Sequence, residues 1–95
     1  MTIYTNLIVI ELFNEFILCI KHTLMLALLL QKMEIRDKAM KVLEYLRDLV
    51  EDTNNNKESI LVYEQMGKMY QEDKEYKMAI IAFKRMLQAA WVENS

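Results

Sequence analysis

The chain has 95 residues, no proline, one glycine and eight methionines, and 54% of its residues are hydrophobic. This composition predicts an all-α fold with long helices and argues against the turn-rich strands of a sandwich or barrel. The net charge of −2 gives no reason to expect a nucleic-acid partner, and the single cysteine cannot form an internal disulfide, so an intracellular, cytoplasmic location is expected.

Residues 1–20 are predicted to form an apolar helix that packs on the rest of the chain. Hydrophobic residues occupy nearly every face of this segment, and no basic residue precedes it, so it does not resemble a secretory signal. Residues 7–30 are long enough to span a bilayer, but five polar or charged residues within them would cost several kcal/mol in hydrocarbon. A membrane anchor is therefore the disfavoured alternative. Whether the helix breaks near residues 21–23 is left open.

The rest of the chain predicts further helices in the order helix, turn, helix, loop, helix, turn, helix. Residues 24–33 are apolar, 34–37 form a short connection, and 39–50 carry an apolar stripe at helical spacing. The asparagine-rich stretch 53–56 predicts a loop, with Asn56 as the N-cap of the next helix. The last two helices are expected to cover residues 57–72 and about 75–91.

One segment carries a repeat pattern that explains the only glycine. The pattern is an aromatic residue, a large apolar residue followed by a small one, then tyrosine, alanine and phenylalanine; its members are Tyr63, Met66, Gly67, Tyr70, Ala79 and Phe83. These residues and their spacing resemble a tetratricopeptide repeat. Two antiparallel helices approach closely only where small side chains face the neighbour, so Gly67 and Ala79 are expected at the contact.

A shift of forty residues reveals a second, weaker copy of the pattern. Ala27 then aligns with Gly67 and Ala39 with Ala79, while four larger residues, Leu26, Leu30, Leu43 and Leu46, align with Met66, Tyr70, Phe83 and Met86. The predicted organisation is repeat 1 at 21–52 and repeat 2 at 57–93. Departures from the family are Thr23 in place of the aromatic, Glu34 and Lys74 in place of turn glycines, and Trp91 in place of a later proline.

The resemblance implies a curved stack of helix pairs whose concave face, lined by the first helix of each pair, binds peptides or partner helices. The residues expected to contact a partner there are Leu24, Met25, Leu28, Leu61, Glu64, Gln65 and Lys68. Four of these, Leu24, Leu28, Glu64 and Lys68, stand where the family's clamp for chaperone tails uses lysine, asparagine and arginine, so that clamp is missing. An apolar outer face of the last helix, carrying Met78, Ile81 and Trp91, is a further candidate partner surface.

No residue pattern for catalysis, a cofactor or a metal is found. Cys19 and His22 share a helical face but are the only cysteine and histidine, and they are interpreted as a buried thiol beside a boundary histidine. Asp52, Asn54 and Asn56 open like a calcium loop, but Lys57 stands where that loop needs glycine. Glu72, Asp73 and Glu75 form a solvated turn.

The sequence therefore predicts a non-enzymatic interaction module, a scaffold or adaptor subunit that docks both ends into a larger protein assembly. A cytoskeletal or ciliary assembly is one setting for such a module, although no residue supports that setting. The alternatives are a membrane-anchored adaptor and a homodimer formed by the last helices.

Overall fold

The described residues of the protein form four helices. A computed structural model describes the backbone of residues 2–53 and 55–94 and the side chains of Glu11, 14–53 and 55–93. The helices are α1 (Thr2–Lys32), α2 (Arg36–Asp52), α3 (Asn56–Glu72) and α4 (Tyr76–Asn94). These described residues contain no strand, and the all-α prediction is confirmed.

The first helix is continuous. α1 runs through residues 21–23 without a break, and the Thr23 hydroxyl donates to the Cys19 carbonyl at 2.8 Å, a bond within one helical turn. The described part of the predicted N-terminal segment, from Thr2 to Ile20, and the predicted helix that follows it are therefore one helix, and the predicted boundary at residue 20 lies inside it. The N-terminal segment cannot fold back over the continuation of its own helix.

The turns between α1 and α2 and between α3 and α4 have the same conformation. Glu34 and Lys74 both have φ of 63°, in the left-handed region that usually takes glycine. In each turn a 6→1 hydrogen bond, from Ile35 N to the Leu30 carbonyl at 2.9 Å or from Glu75 N to the Tyr70 carbonyl at 2.8 Å, completes a Schellman cap. The backbone thus repeats at an interval of forty residues, although neither turn contains glycine.

The connection between α2 and α3 is shorter than predicted. α2 continues to Asp52, and Asn56 is the first residue of α3, so Asn56 is not the N-cap. Asn55 occupies the N-cap position but forms no side-chain capping bond; its amide donates instead to the Thr53 hydroxyl at 2.8 Å. Asn54 lies outside the described residues.

The helices pack as two hairpins, α1 with α2 and α3 with α4. The α3 and α4 helices share the most extensive contact, α2 lies against α3, and α1 meets α3 over a short stretch. One core crosses both hairpins; among its members are Ile20, Leu24, Ala27, Ala39, Leu43, Leu46, Val50, Val62, Tyr63, Met66, Met69 and Ala82. Because α3 lies between α2 and α4, its apolar residues are buried on two sides.

Candidate functional site

Small residues line the contacts inside both hairpins. Ala27, Ala39, Gly67 and Ala79 are all buried. The closest approach is at Gly67, where a Cβ atom would lie 2.6 Å from Cε1 of Phe83. The glycine therefore makes room for an aromatic ring on α4, and Ala79, predicted at the same contact, is also buried.

The remaining packing residues of the repeat pattern are buried to different degrees. Leu43 and Tyr63 are buried, while Tyr70 and Phe83 are partly buried. The Tyr63 hydroxyl donates to Oε1 of Glu51, which joins α3 to α2. Burial raises the pKa of Tyr70 above the usual tyrosine value, and the Glu44 carboxylate adds to the rise.

Arg36 forms a clamp between α2 and α3 that the sequence analysis did not find. Its guanidinium lies 2.9 Å from the carboxylates of Glu72 and Asp73 and donates to the Met69 carbonyl at 3.0 Å. The hydrogen bond to Glu72, with the nearby Asp73 charge, raises the pKa of Arg36. The acidic turn 72–75 is exposed, as predicted, and it also contributes two carboxylates to the contact with α2. Spacing along one helix could not reveal this pair, which joins residues 36 positions apart.

The outer side of α1 carries a row of exposed residues, named here the α1 end stripe. It consists of Cys19, His22, Leu26, Leu29 and Met33, which recur at intervals of three and four residues and are all exposed. The thiol of Cys19 is thus exposed, and the prediction that it is buried is wrong. Leu26 is 49% exposed whereas its aligned partner Met66 is 2% exposed, because α2 covers α3 but no described helix covers this side of α1.

The outer side of α4 carries a second row, named here the α4 end stripe. It consists of Tyr76, Ile80, Leu87 and Trp91, all more than half exposed. From the sequence, Met78 and Ile81 were expected on one face of the last helix with Trp91. In the structure those two side chains line a cleft between α2 and α4, on a different side of the helix.

The residues predicted to line a partner groove differ in accessibility. Leu24 is 9% exposed and belongs to the core, so it cannot contact a partner as predicted. Leu28 and Gln65 are partly buried. Met25, Leu61 and Lys68 are exposed.

The surface formed by α1 and α3, the first helix of each hairpin, is named here the first-helix side. It also carries a local ion pair. The ammonium of Lys68 lies 2.9 Å from the carboxylate of Glu64, one turn earlier in α3. This surface is therefore polar on α3 and more apolar on α1.

A cleft between α2 and α4 is lined by both apolar and charged side chains. Tyr63, Met66 and Tyr70 of α3 lie at its base, and charged side chains such as Arg47, Glu51 and Arg85 lie along its sides. The described residues include no group of three histidine, cysteine or acidic side chains that could hold a metal ion.

The segment Asn14–Lys32 is long and apolar enough to cross a bilayer, a test that signal sequences and core helices of soluble proteins also pass. No protein-family model, curated protein or solved structure matches this chain.

Proposed function

We propose that the chain is a non-catalytic protein interaction module, a tetratricopeptide-like scaffold or adaptor that docks its two ends onto other protein subunits. The observation that supports this proposal is the exposure of apolar rows at both ends of the helix stack. Between these ends, the facing surfaces of α2 and α3 are covered.

The physical basis is the cost of leaving such rows in water. Apolar surface contributes about 25 cal/mol per Å² when it is removed from water, and stacked repeats normally end in helices with a polar outer face. Here the ends carry leucine, methionine, isoleucine, tyrosine and tryptophan. Rows of this kind mark sites of contact with another protein or with a membrane, and methionine side chains adapt to varied surfaces.

The first-helix side offers a second contact region for a peptide or helix. Met25 supplies apolar contact, and Lys68 and Gln65 supply polar groups. The proposal places this module in the cytoplasm because its single cysteine gives no sign of an oxidising compartment.

A membrane-anchored adaptor is the alternative, and the observation that favours it is the apolar length of Asn14–Lys32. One side of that segment, however, contributes Ile20, Leu24 and Ala27 to the core against α2. Moving α1 into a bilayer would expose Ala39 and Leu43, which are at most 1% exposed in the structure. Proteins are therefore the better partners for this helix.

Quantitative co-purification from the cells that express the protein tests the proposal. The baits are the wild type, Leu29→Glu in the α1 end stripe, Leu87→Glu in the α4 end stripe, and Tyr45→Glu as a control that changes an exposed aromatic residue on α2. We expect partner proteins that the wild type and the control retain and that one or both stripe variants lose by about tenfold or more. Equal recovery of every protein by all four baits would overturn the proposal, and recovery only from detergent-solubilised membranes would favour the anchor.

A further inference from the structure

The contact between α2 and α3 joins the two repeats. On α2 it uses Arg36, which bonds to Asp73, and Glu51, which accepts from Tyr63. Arg47 acts electrostatically on Tyr70 from the same side of α2. These α2 residues are spaced eleven and four apart, so they form one row along the helix.

The forty-residue repeat maps this contact onto the two ends of the molecule. Adding forty to the α2 positions gives Tyr76, Leu87 and Trp91, three members of the α4 end stripe. On α3, Val62, Met66 and Met69 belong to the core that also contains Leu43, Leu46 and Val50 of α2, and they are at most 2% exposed. Subtracting forty from those positions gives members of the α1 end stripe, His22, Leu26 and Leu29.

We infer that the α4 end stripe of one molecule packs on the α1 end stripe of a second copy, in the arrangement that α2 has on α3. The inference depends on the proposed use of the end stripes for docking and names their partner. The two stripes differ in sequence and shape, and each corresponds to one side of a contact that the chain already makes within itself. A second copy therefore supplies a surface of the required form.

The paired positions across this contact have the right chemistry for two separate molecules. The pair of Arg36 and Asp73 inside the chain corresponds to Tyr76 of one copy and Met33 of the next. The pair of Glu51 and Tyr63 corresponds in the same way to Trp91 of one copy and Thr23 of the next. The ion pair inside the chain is partly exposed, and such pairs contribute little to stability. Apolar pairs contribute through burial and lose little in salt, which suits association without a connecting loop.

This contact joins two different surfaces, so it does not close on itself. Each copy that is added presents a free α4 end stripe or a free α1 end stripe, and the product is an open row of molecules. The average mass should therefore rise with concentration beyond twice the chain mass of 11.4 kDa. A symmetric dimer formed by the last helices would stop at twice that mass.

Complementary variants test the inference. Leu26→Glu with Leu29→Glu places charge in the α1 end stripe, and Ile80→Glu with Leu87→Glu places it in the α4 end stripe. Each double variant retains one intact stripe. By sedimentation velocity, with helicity checked by circular dichroism, we expect each variant alone to be a monomer and their equimolar mixture to form a 1:1 complex.

Fluorescence of the single tryptophan, Trp91, gives an independent measurement, since this side chain is 78% exposed in the isolated chain. We expect a shift of its emission to shorter wavelength on mixing the two double variants. Tyr45→Glu, the control, should assemble as the wild type does.

Introducing an ion pair like that of Arg36 and Asp73 at the corresponding positions, 76 and 33, tests which residues face each other in the contact between two copies. We expect Met33→Asp and Tyr76→Arg each to weaken self-association by about tenfold, and the chain with both changes to associate about two- to fivefold more tightly than the two separate losses together predict. This gain in association should weaken with added salt, because the new contact includes an ion pair.

Three results would overturn the inference. They are a wild type that remains monomeric up to millimolar concentration, a dimer that survives in either double variant, and a mixture of the two that does not associate. If the wild type is monomeric but its stripe variants lose cellular partners that the control retains, the docking function stands and only the second copy is wrong.

Discussion

The substitution Gly67→Ala tests the close approach of α3 and α4 directly. The added methyl carbon would lie 2.6 to 2.9 Å from three ring atoms of Phe83, closer than non-bonded carbons approach in proteins. Inserting a methyl group into such a contact typically costs about 1–3 kcal/mol. Replacing glycine by alanine inside a helix also stabilises the folded state by roughly 0.5–1 kcal/mol, because alanine loses less backbone entropy. We therefore expect a net loss of about 1–2 kcal/mol in the free energy of unfolding.

The assay is thermal and urea denaturation followed by circular dichroism at 222 nm, at a concentration where the chain is a monomer. A loss of 1 kcal/mol corresponds to a fall in Tm of about 4–8 °C for a domain of this size. Gln71→Ala, an exposed change in the same helix, is the control and should alter stability by no more than about 0.5 kcal/mol.

A double variant separates steric conflict from other causes. Phe83→Leu alone should destabilise the protein by leaving a space, but combined with Gly67→Ala it should cost less than the sum of the two single changes, with a coupling of about 1 kcal/mol. If Gly67→Ala instead raises stability by the amount expected from helix propensity, α3 and α4 do not approach as described and the reasoning is refuted.

Removing the Arg36 clamp by Arg36→Met should lower the free energy of unfolding by about 1–2 kcal/mol, chiefly because the charged bond to the Met69 carbonyl is lost together with two partly exposed ion pairs. Arg47→Met removes an ion pair with the adjacent Asp48 and a charge near Tyr70 but no bond to a backbone carbonyl, and it should change urea denaturation far less. Glu34→Gly and Lys74→Gly should each raise stability by about 0.5–1 kcal/mol, because glycine adopts a positive φ without strain, and a fall in Tm for either would contradict the turn geometry. Burial raises the pKa of Tyr70, so the unfolded chain loses this proton first as pH rises past about 10. Stability from this group is therefore complete below pH 10 and falls above it. Tyr70→Phe should reduce the slope of unfolding free energy against pH above about pH 10, and an unchanged slope would show that the native structure does not raise the pKa of Tyr70.

Much of the fold follows from local properties of the chain. The absence of proline and the helical spacing of apolar residues predict an all-α fold, and the structure confirms it. The forty-residue alignment also places Glu34 and Lys74 at equivalent positions, and both adopt the same left-handed cap. Cap geometry depends on backbone bonds within one turn, so two turns with different side chains adopt the same conformation.

Partner surfaces could not be predicted as reliably, because accessibility depends on which helices lie alongside. Leu24 and Met25 are neighbours in an apolar run, yet one is in the core and the other is 64% exposed. The Arg36 clamp joins two hairpins, so no spacing within one helix reveals it. The sequence did contain a usable signal for the α4 end stripe. Ile80, Leu87 and Trp91 are spaced seven and four residues apart, which places them in one row on a helix.

By itself the sequence determined the helical fold and the repeat interval, because both arise from the preferences and spacing of residues close together in the chain. The tertiary structure decided which apolar rows are covered. α3 is enclosed by α2 and α4, whereas the outer sides of α1 and α4 have no described helix beside them. Burial is a property of neighbours in space, and the same apolar pattern is therefore core in α3 and an exposed stripe in α1.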